Sequence, residues 1–394
     1  MKEYDAAIIG AGPVGCFIAK KLAKEKYNIT VFEKNKEIGL PMSCAGLVSS
    51  RVFENFGISK KGLIQNKIKG AHIHSPSGNK LSIGGDRTYA LVIDRTHFDQ
   101  KIAEDAKKNG ANFFLDKKAT KFSRKKQGIE LETSENKKYF TKLLIGADGP
   151  FSTVRRTFEM QEPKEFLYSA GAELSGTNLD PNFVHIFVGN KVAPGFFAWI
   201  IPTNNEGSFA RAGLCVDKKS QQSAKYYFKK LFNNKKSSNF LKHAKIEKRL
   251  GGAIPLGIIK KNVLDNVMLV GDAAAQVKPT SGGGVFPGLS CADFCSNVAI
   301  DAINNNNFSE KFLKEYQRTC VGYIGKEITK GYRYRSIFRS LSDKKLDKYL
   351  TNFSNPDIVE TINEYGDIDF PSKLVKPMIK KAPLLLKFVL KSLK

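Results

Sequence analysis

The 394-residue chain reads as α/β: a parallel-sheet domain, a second domain of antiparallel strands inserted into it, and a helical C-terminal region. Three observations predict this. Residues 4–33 open with strand, helix and strand. Two later apolar runs, residues 142–147 and 263–271, are continuous in the way of strands that a parallel sheet buries on both faces. Between them the pattern changes, and residues 166–174, 183–188, 196–201 and 208–216 read as successive antiparallel strands with turn residues at Gly176, Gly189, Asn204 and Asn205.

Taken in order, residues 4–10 (YDAAIIG) predict a short buried strand. The turn after it leads into a helix whose apolar positions Phe17, Ile18 and Leu22 recur at helical spacing. Residues 27–33 (YNITVFE) predict a second, β-branched strand. From about Phe308 the chain reads as helical and basic. The expected division is 1–70, 90–156 and 262–305 for the parallel-sheet domain, 71–89 and 157–261 for the inserted one, and 306–394 for the helical region.

Composition narrows the function. At 41% hydrophobic residues the chain can bury a large core, which excludes disorder. Sixty-four Lys and Arg against thirty-eight Asp and Glu leave a net charge of +26, which favours anionic partners. The basic residues are dispersed and no aromatic-basic module accompanies them, so a nucleic acid is not expected as partner. No apolar run reaches the ~18–20 residues of a bilayer-spanning helix, and no cationic leader precedes the first strand; a cytoplasmic location is expected. The cysteines Cys16, Cys44, Cys215, Cys291, Cys295 and Cys320 form no CxxC, and His72 and His74 have no Cys or carboxylate cluster beside them, so no metal site is expected.

Three motifs carry the chemistry. In GAGPVG (residues 10–15), Gly10 permits a tight turn and Gly12 lets backbone amides approach a pyrophosphate at the positive end of a helix that begins at Pro13 and Val14. Gly15 allows close packing, and Glu33, at the end of the next strand, is placed to accept from ribose hydroxyls. The carboxylate favours an unphosphorylated adenosine ribose, as in FAD or NAD. The second motif, GADG (146–149), puts Asp148 and Gly149 at a strand end. The third, VGDAA (270–274), puts Asp272 at another, before the glycines Gly282, Gly283 and Gly284 that lead into a helix. Either could be an ordinary tight turn. Their shared setting at strand carboxyl ends, with Glu33, describes one long site that fits a flavin dinucleotide.

Together with Glu33, these motifs resemble the flavoprotein fold shared by aromatic hydroxylases and their reductase relatives, in which a Rossmann-like FAD-binding domain carries an inserted substrate sheet. PMSCAGLVS (41–49), FAWIIP (197–202) and QVKPTSGGG (276–284) are similar to one branch, the geranylgeranyl reductases of isoprenoid and archaeal lipid synthesis. The resemblance implies FAD as cofactor, with Glu33 on the adenosine ribose, Ala119 on the adenine side, Arg95 at the phosphate and ribityl region, and Asp272 on the ribityl hydroxyls. It places the amides of Gly284 and Val285 at the isoalloxazine, with Cys44, Ala45 and Leu47 bordering the ring. It further implies a polyprenyl lipid substrate and an external electron donor, whether a reduced nicotinamide, another carrier or an acidic ferredoxin. A monooxygenase of the hydroxylase branch is the competing activity.

Cys44 reads either as a small buried hydrophobe or as the group that positions or protonates the reacting alkene. Phe197, Trp199 and Pro202 read either as a core strand or as one wall of a polyprenyl tunnel. Phe197 stands where the reductases commonly have Tyr. Residues 371–394 hold seven lysines and no carboxylate, and Lys387, Lys391 and Lys394 would share a helical face opposite Leu386, Val389 and Leu393. That is a solvated basic helix or one lying on an anionic membrane, peripheral on the inner face of the cell membrane.

Overall fold

The computed structural model describes residues 2–233 and 237–381. An eight-stranded sheet forms the first layer, its main path running Val263–Leu264, Val267–Leu269, Lys138–Gly146, Lys2–Ile9, Ile29–Phe32, Asn112–Phe114. Lys2–Ile9 is the central strand, parallel to both neighbours, and alternate side chains leave it for opposite faces. Ala6 and Ile8 pack with Phe17, Ile18 and Leu22 of helix Pro13–Lys24, and with helices Arg95–Lys108 and Val285–Asn304. Ala7 and Ile9 pack with Ile129 and Leu131 of the hairpin Ala119–Lys125 and Gly128–Thr133. Burial on both faces explains the unbroken apolar runs.

The register lines up the motifs. Ile9 is opposite both Phe32 and Gly146, and Gly146 is opposite Leu269. Gly10, Glu33, Asp148 and Asp272 therefore emerge along one edge of the sheet, at the carboxyl ends of its strands. Residues 263–271 are not one strand: the chain turns back at Asp265 and Asn266, with Asn266 at φ 62°, to give an antiparallel hairpin, and Gly271–Ala274 is a 3-10 turn.

The second sheet has seven strands in the order Lys245–Leu256, Glu165–Ser175, Phe209–Asp217, Phe197–Pro202, Phe183–Val188, Gly70–His74, Lys80–Gly84. It is antiparallel throughout except where Phe183–Val188 runs parallel to Gly70–His74. Leu47–Val48, Ala90–Ile93 and Ile64–Ile68 form a small sheet between the two. Helices Glu310–Cys320, Lys326–Arg339, Asp343–Phe353, Pro356–Tyr365 and Val375–Lys381 follow. No helix among the described residues is long and apolar enough to cross a membrane. The amphipathic face at Leu386, Lys387, Val389, Lys391, Leu393 and Lys394 lies outside the described residues.

Candidate functional site

The glycine loop is fixed by close backbone contact. Gly10, at φ 102°, lies so near the neighbouring strand end that a Cβ would stand 2.5 Å from the Ala147 carbonyl oxygen. A Cβ on Gly15 would stand 2.0 Å from the Gly10 oxygen, so this glycine sets how closely helix and strand approach. Gly12 differs: a Cβ there meets nothing within 4 Å, and no side chain caps the helix that Pro13 and Val14 begin. Uncapped first-turn amides facing open space suit a pyrophosphate. Glu33, 8% exposed, accepts from the amides of Ala11 (2.8 Å) and Asn35 (2.9 Å), holding its carboxylate against the loop with lone pairs left for hydroxyl donors. Lys117 donates its amide to the Glu33 carbonyl at 2.8 Å, and this leads the chain to buried Ala119 on the same side.

Glu33 also lines a cleft with Asn35, Pro41, Cys44, Arg95 and Asp99. Arg95 opens its helix behind the Asp94 cap and grips Asp99 through Nε and Nη2 at 3.1–3.2 Å. Burial opposes the Arg95 charge, but the Asp99 carboxylate outweighs it and holds the guanidinium above its usual range. Burial pushes the Asp99 carboxyl up to about 6 against the pull of Arg95. Asp272 is likewise pushed up to about 6 by burial, with the Arg95 charge opposing.

Asp272 lies beneath the start of helix Val285–Asn304, its Oδ1 2.9 Å from where a Cβ on Gly284 would stand; that helix too has no side-chain cap. Gly271 and Gly288 both press on Val14, which joins the first and third motifs. Gln276 accepts from the Gly271 amide at 2.6 Å and donates to the Tyr316 hydroxyl at 2.8 Å, and Tyr316 donates to the Leu269 carbonyl, so a buried chain of bonds locks the turn. Beside Gly283, Lys278 reaches Asp369 and the Ile368 carbonyl, both at 2.8 Å, and Asp369 also meets Arg51. The helical region is thereby strapped to the glycine-rich turn.

Asp148 takes two amides, Thr153 at 2.6 Å and Val154 at 3.2 Å, on Oδ2, while its buried Oδ1 has no hydrogen-bond partner among the described residues. Burial raises this carboxyl. Gly149, at φ 78°, leaves open space beside it. An unsatisfied buried oxygen, two uncapped helix starts and the open side of Gly12 together fit a bound FAD.

The loop carrying Cys44 joins this edge to the second sheet. Cys44 Sγ accepts from the Gly46 amide at 3.3 Å. Ala45 and Leu47 share an apolar cluster with Trp199 and Ile201, and Phe197 meets Trp199 edge-on at 6.1 Å. Phe196, which heads the aromatic run of residues 196–201, has the ring beside Gly282, with Cζ 3.6 Å from a Cβ built there. Pro202 lies at the far end of the same strand, where its carbonyl accepts from Asn66 at 3.0 Å. Sequence analysis does not point to Arg211; a lone basic residue in the apolar run FARAGLCV is its signal. His72 stacks on Phe183, and His74 shares a 3.0 Å hydrogen bond with His185. Among the described residues no cluster of His, Cys, Asp and Glu is arranged to hold a metal.

Residues 3–296 match the FAD binding domain family. A digeranylgeranylglycerophospholipid reductase of Methanocaldococcus jannaschii is 33% identical over 98% of this chain and 97% of that protein. An uncharacterized protein of the same organism is 32% identical over the same shares. Among solved structures, a geranylgeranyl bacteriochlorophyll reductase-like protein of Thermoplasma acidophilum superposes with a TM-score of 0.87 at 22% identity, covering 100% of both chains. The halogenase PltM in complex with phloroglucinol and FAD gives 0.68 at 14% identity, over 96% of this chain and 92% of that one. The last two likenesses establish a shared fold. With the three motifs converging on one sheet edge, the chain is an FAD-dependent oxidoreductase that belongs to the FAD binding domain family and, within it, to the digeranylgeranylglycerophospholipid reductases.

Proposed function

We propose that this protein saturates the double bonds of geranylgeranyl chains on archaeal ether phospholipid precursors. The observation that carries the reading is the nearness of the Phe196 ring to Gly282, 3.6 Å from where a Cβ would stand, with Phe196 also packed on Val277; this sets the start of the apolar strand beside the turn that would border the flavin ring. Reduced FAD, when bound, supplies a hydride equivalent; one alkene carbon takes it and the adjoining carbon takes a proton. Glu33 and Ala119 hold the adenosine end, Gly10, Gly12, Pro13, Val14 and Gly15 the pyrophosphate, and Arg95, Asp148, Gly149 and Asp272 the middle. Gly283, Gly284 and Val285 direct amides and a helix dipole at the ring. Phe197 and Trp199 wall the alkene away from water. The Cys44 thiol is the proton donor, held by the Gly46 amide in the cleft that Arg95 also lines.

The two larger sheets divide the labour, with FAD on residues 1–70, 90–156 and 262–305 and lipid on 71–89 and 157–261. The reductant is external: a reduced nicotinamide, another small carrier or an acidic ferredoxin drawn by the +26 charge. A basic protein acting on a membrane lipid works on the anionic inner face of the cell membrane, through the lysines of residues 371–394. Mixing the reduced holoprotein anaerobically with a geranylgeranyl lipid should restore the oxidised flavin absorbance. Reoxidation only by oxygen, with a hydroxylated product, would select the monooxygenase instead.

A further inference from the structure

Helix Lys326–Arg339 packs on the glycine-rich turn at Gly331, where a Cβ would stand 3.3 Å from Pro279 Cδ and 3.6 Å from Thr280 Cγ2. One turn later the same helix drives Arg335 into the core, 3% exposed, with its guanidinium 5.7 Å from the centre of the Phe196 ring. Phe196 is also the ring beside Gly282. Arg335 thus lies where the helical region, the aromatic strand and the glycine-rich turn meet.

Its charge is poorly answered. Nη2 stands 3.3 Å from Glu165 Oε1, yet none of Nε, Nη1 and Nη2 has a hydrogen-bond partner among the described residues. Arg339 draws on both nearby acids, with Nη1 2.8 Å from Glu165 Oε2 and 2.9 Å from Asp217 Oδ2. Two arginines thus share two carboxylates, and Arg339 takes the closer contacts. Burial weakens the hold of Arg335 on its proton, only partly offset by Glu165. A buried guanidinium with unused donors is strongly disfavoured unless an acceptor arrives, and its planar fork matches an oxyanion.

We infer that Arg335 is the recognition group for a phosphate, and that on the reductase reading above this is the headgroup phosphate of the lipid, held beside Phe196 while the chain extends along Phe197 and Trp199. The site selects phosphorylated over neutral lipid, and it favours the double bonds nearest the glycerol because the anchor is close to the proposed ring position.

Trp199 is the single tryptophan of the chain, so its fluorescence reports lipid entry independently of turnover. The holoprotein is titrated with digeranylgeranylglyceryl phosphate, with its dephosphorylated alcohol and with inorganic phosphate, and reduction of both lipids is followed by mass spectrometry. A charge-assisted hydrogen-bond set predicts roughly tenfold or greater preference for the phosphorylated lipid. Arg335→Gln should bring the preference close to one, and Arg335→Lys should keep part of it. Equal binding of both lipids by the wild type overturns the inference whether or not a variant folds, as does an Arg335→Gln preference equal to wild type. Displacement of Trp199-detected phospholipid by inorganic phosphate in the wild type supports the phosphate site; inorganic phosphate binding without any preference between the lipids assigns Arg335 to the free ion and overturns the headgroup assignment. If neither lipid is reduced while the binding preference persists, the reductase reading falls and this site stands.

Discussion

Arg211, on strand Phe209–Asp217, donates Nη1 to the carbonyl of Ala45 at 3.2 Å, tying the second sheet to the loop that carries Cys44. The same nitrogen donates to Ile93 at 2.9 Å, two residues before Arg95, while Nη2 reaches Gln65 and Nε reaches Glu173. A Cβ on Gly46 would stand 2.4 Å from this guanidinium, so the tight turn at φ 74° and the arginine require each other. Arg211→Gln leaves several buried acceptors and Glu173 short of partners, and should cost about 3 kcal/mol of stability. Denaturant unfolding gives that loss. Turnover should fall by roughly tenfold with FAD retained, since the Cys44 loop loses its tether. A variant as active as wild type would separate Arg211 from the chemistry.

Gly12 and Gly15 predict opposite failures from the same substitution. Gly12→Ala adds a methyl group to open space, so the chain should fold as before, but FAD affinity should fall roughly tenfold or more as the methyl occupies the pyrophosphate approach. Gly15→Ala collides with the Gly10 carbonyl and should destabilise the fold by about 3 kcal/mol. Thermal melts with and without added FAD distinguish the two. A Gly12→Ala protein that binds FAD normally would move the pyrophosphate elsewhere.

Replacing Cys44 by Ala should slow alkene reduction roughly a hundredfold, the usual scale of general-acid catalysis, with flavin content unchanged. The check is the anaerobic rate of flavin reoxidation by lipid. Wild-type rates would remove the thiol from the mechanism.

Asp272 gives a pH signature. Its folded value of about 6 lies above the usual 3.8, so the folded chain keeps a proton that the unfolded chain has released. The stability tied to this proton is fully present below about pH 4 and is lost as pH rises through about 6. His185, pushed down to about 3 by burial and by its neighbours His74 and His72, acts with the opposite sign across that window, so only a difference isolates Asp272. Relative to Asp272→Asn, the flavin-free wild type should weaken by about 3 kcal/mol between pH 4 and pH 6.5. Parallel urea-unfolding curves for the two proteins would contradict the buried carboxylate.

The nucleotide edge was legible because it is local. GAGPVG, Glu33, GADG and VGDAA each follow an apolar strand, and parallel register alone brings them together at Ile9, Phe32, Gly146 and Leu269. What escaped depended on partners distant in sequence. Lys245–Leu256 carried no strand signal because it is an edge strand whose exposed first half is Lys, Glu and Arg-rich. The pairing of Phe183–Val188 with Gly70–His74 joins segments more than a hundred residues apart, so no turn chemistry announces it. Residues 263–271 looked continuous because the reversal uses only Asp265 and Asn266 between apolar neighbours. Gln276 and Tyr316, like Arg211, gain meaning only from contacts across the fold.

The central claim is that a hydride and a proton pass to a geranylgeranyl double bond at the meeting of the nucleotide edge and the aromatic strand. Mass spectrometry of digeranylgeranylglyceryl phosphate, before and after anaerobic incubation with chemically reduced holoprotein, tests it most directly. Products heavier by one hydrogen pair for each bond saturated are predicted, and by one deuterium pair when flavin reduction and incubation are both carried out in heavy water. An unaltered lipid beside a fully reduced flavin would contradict it.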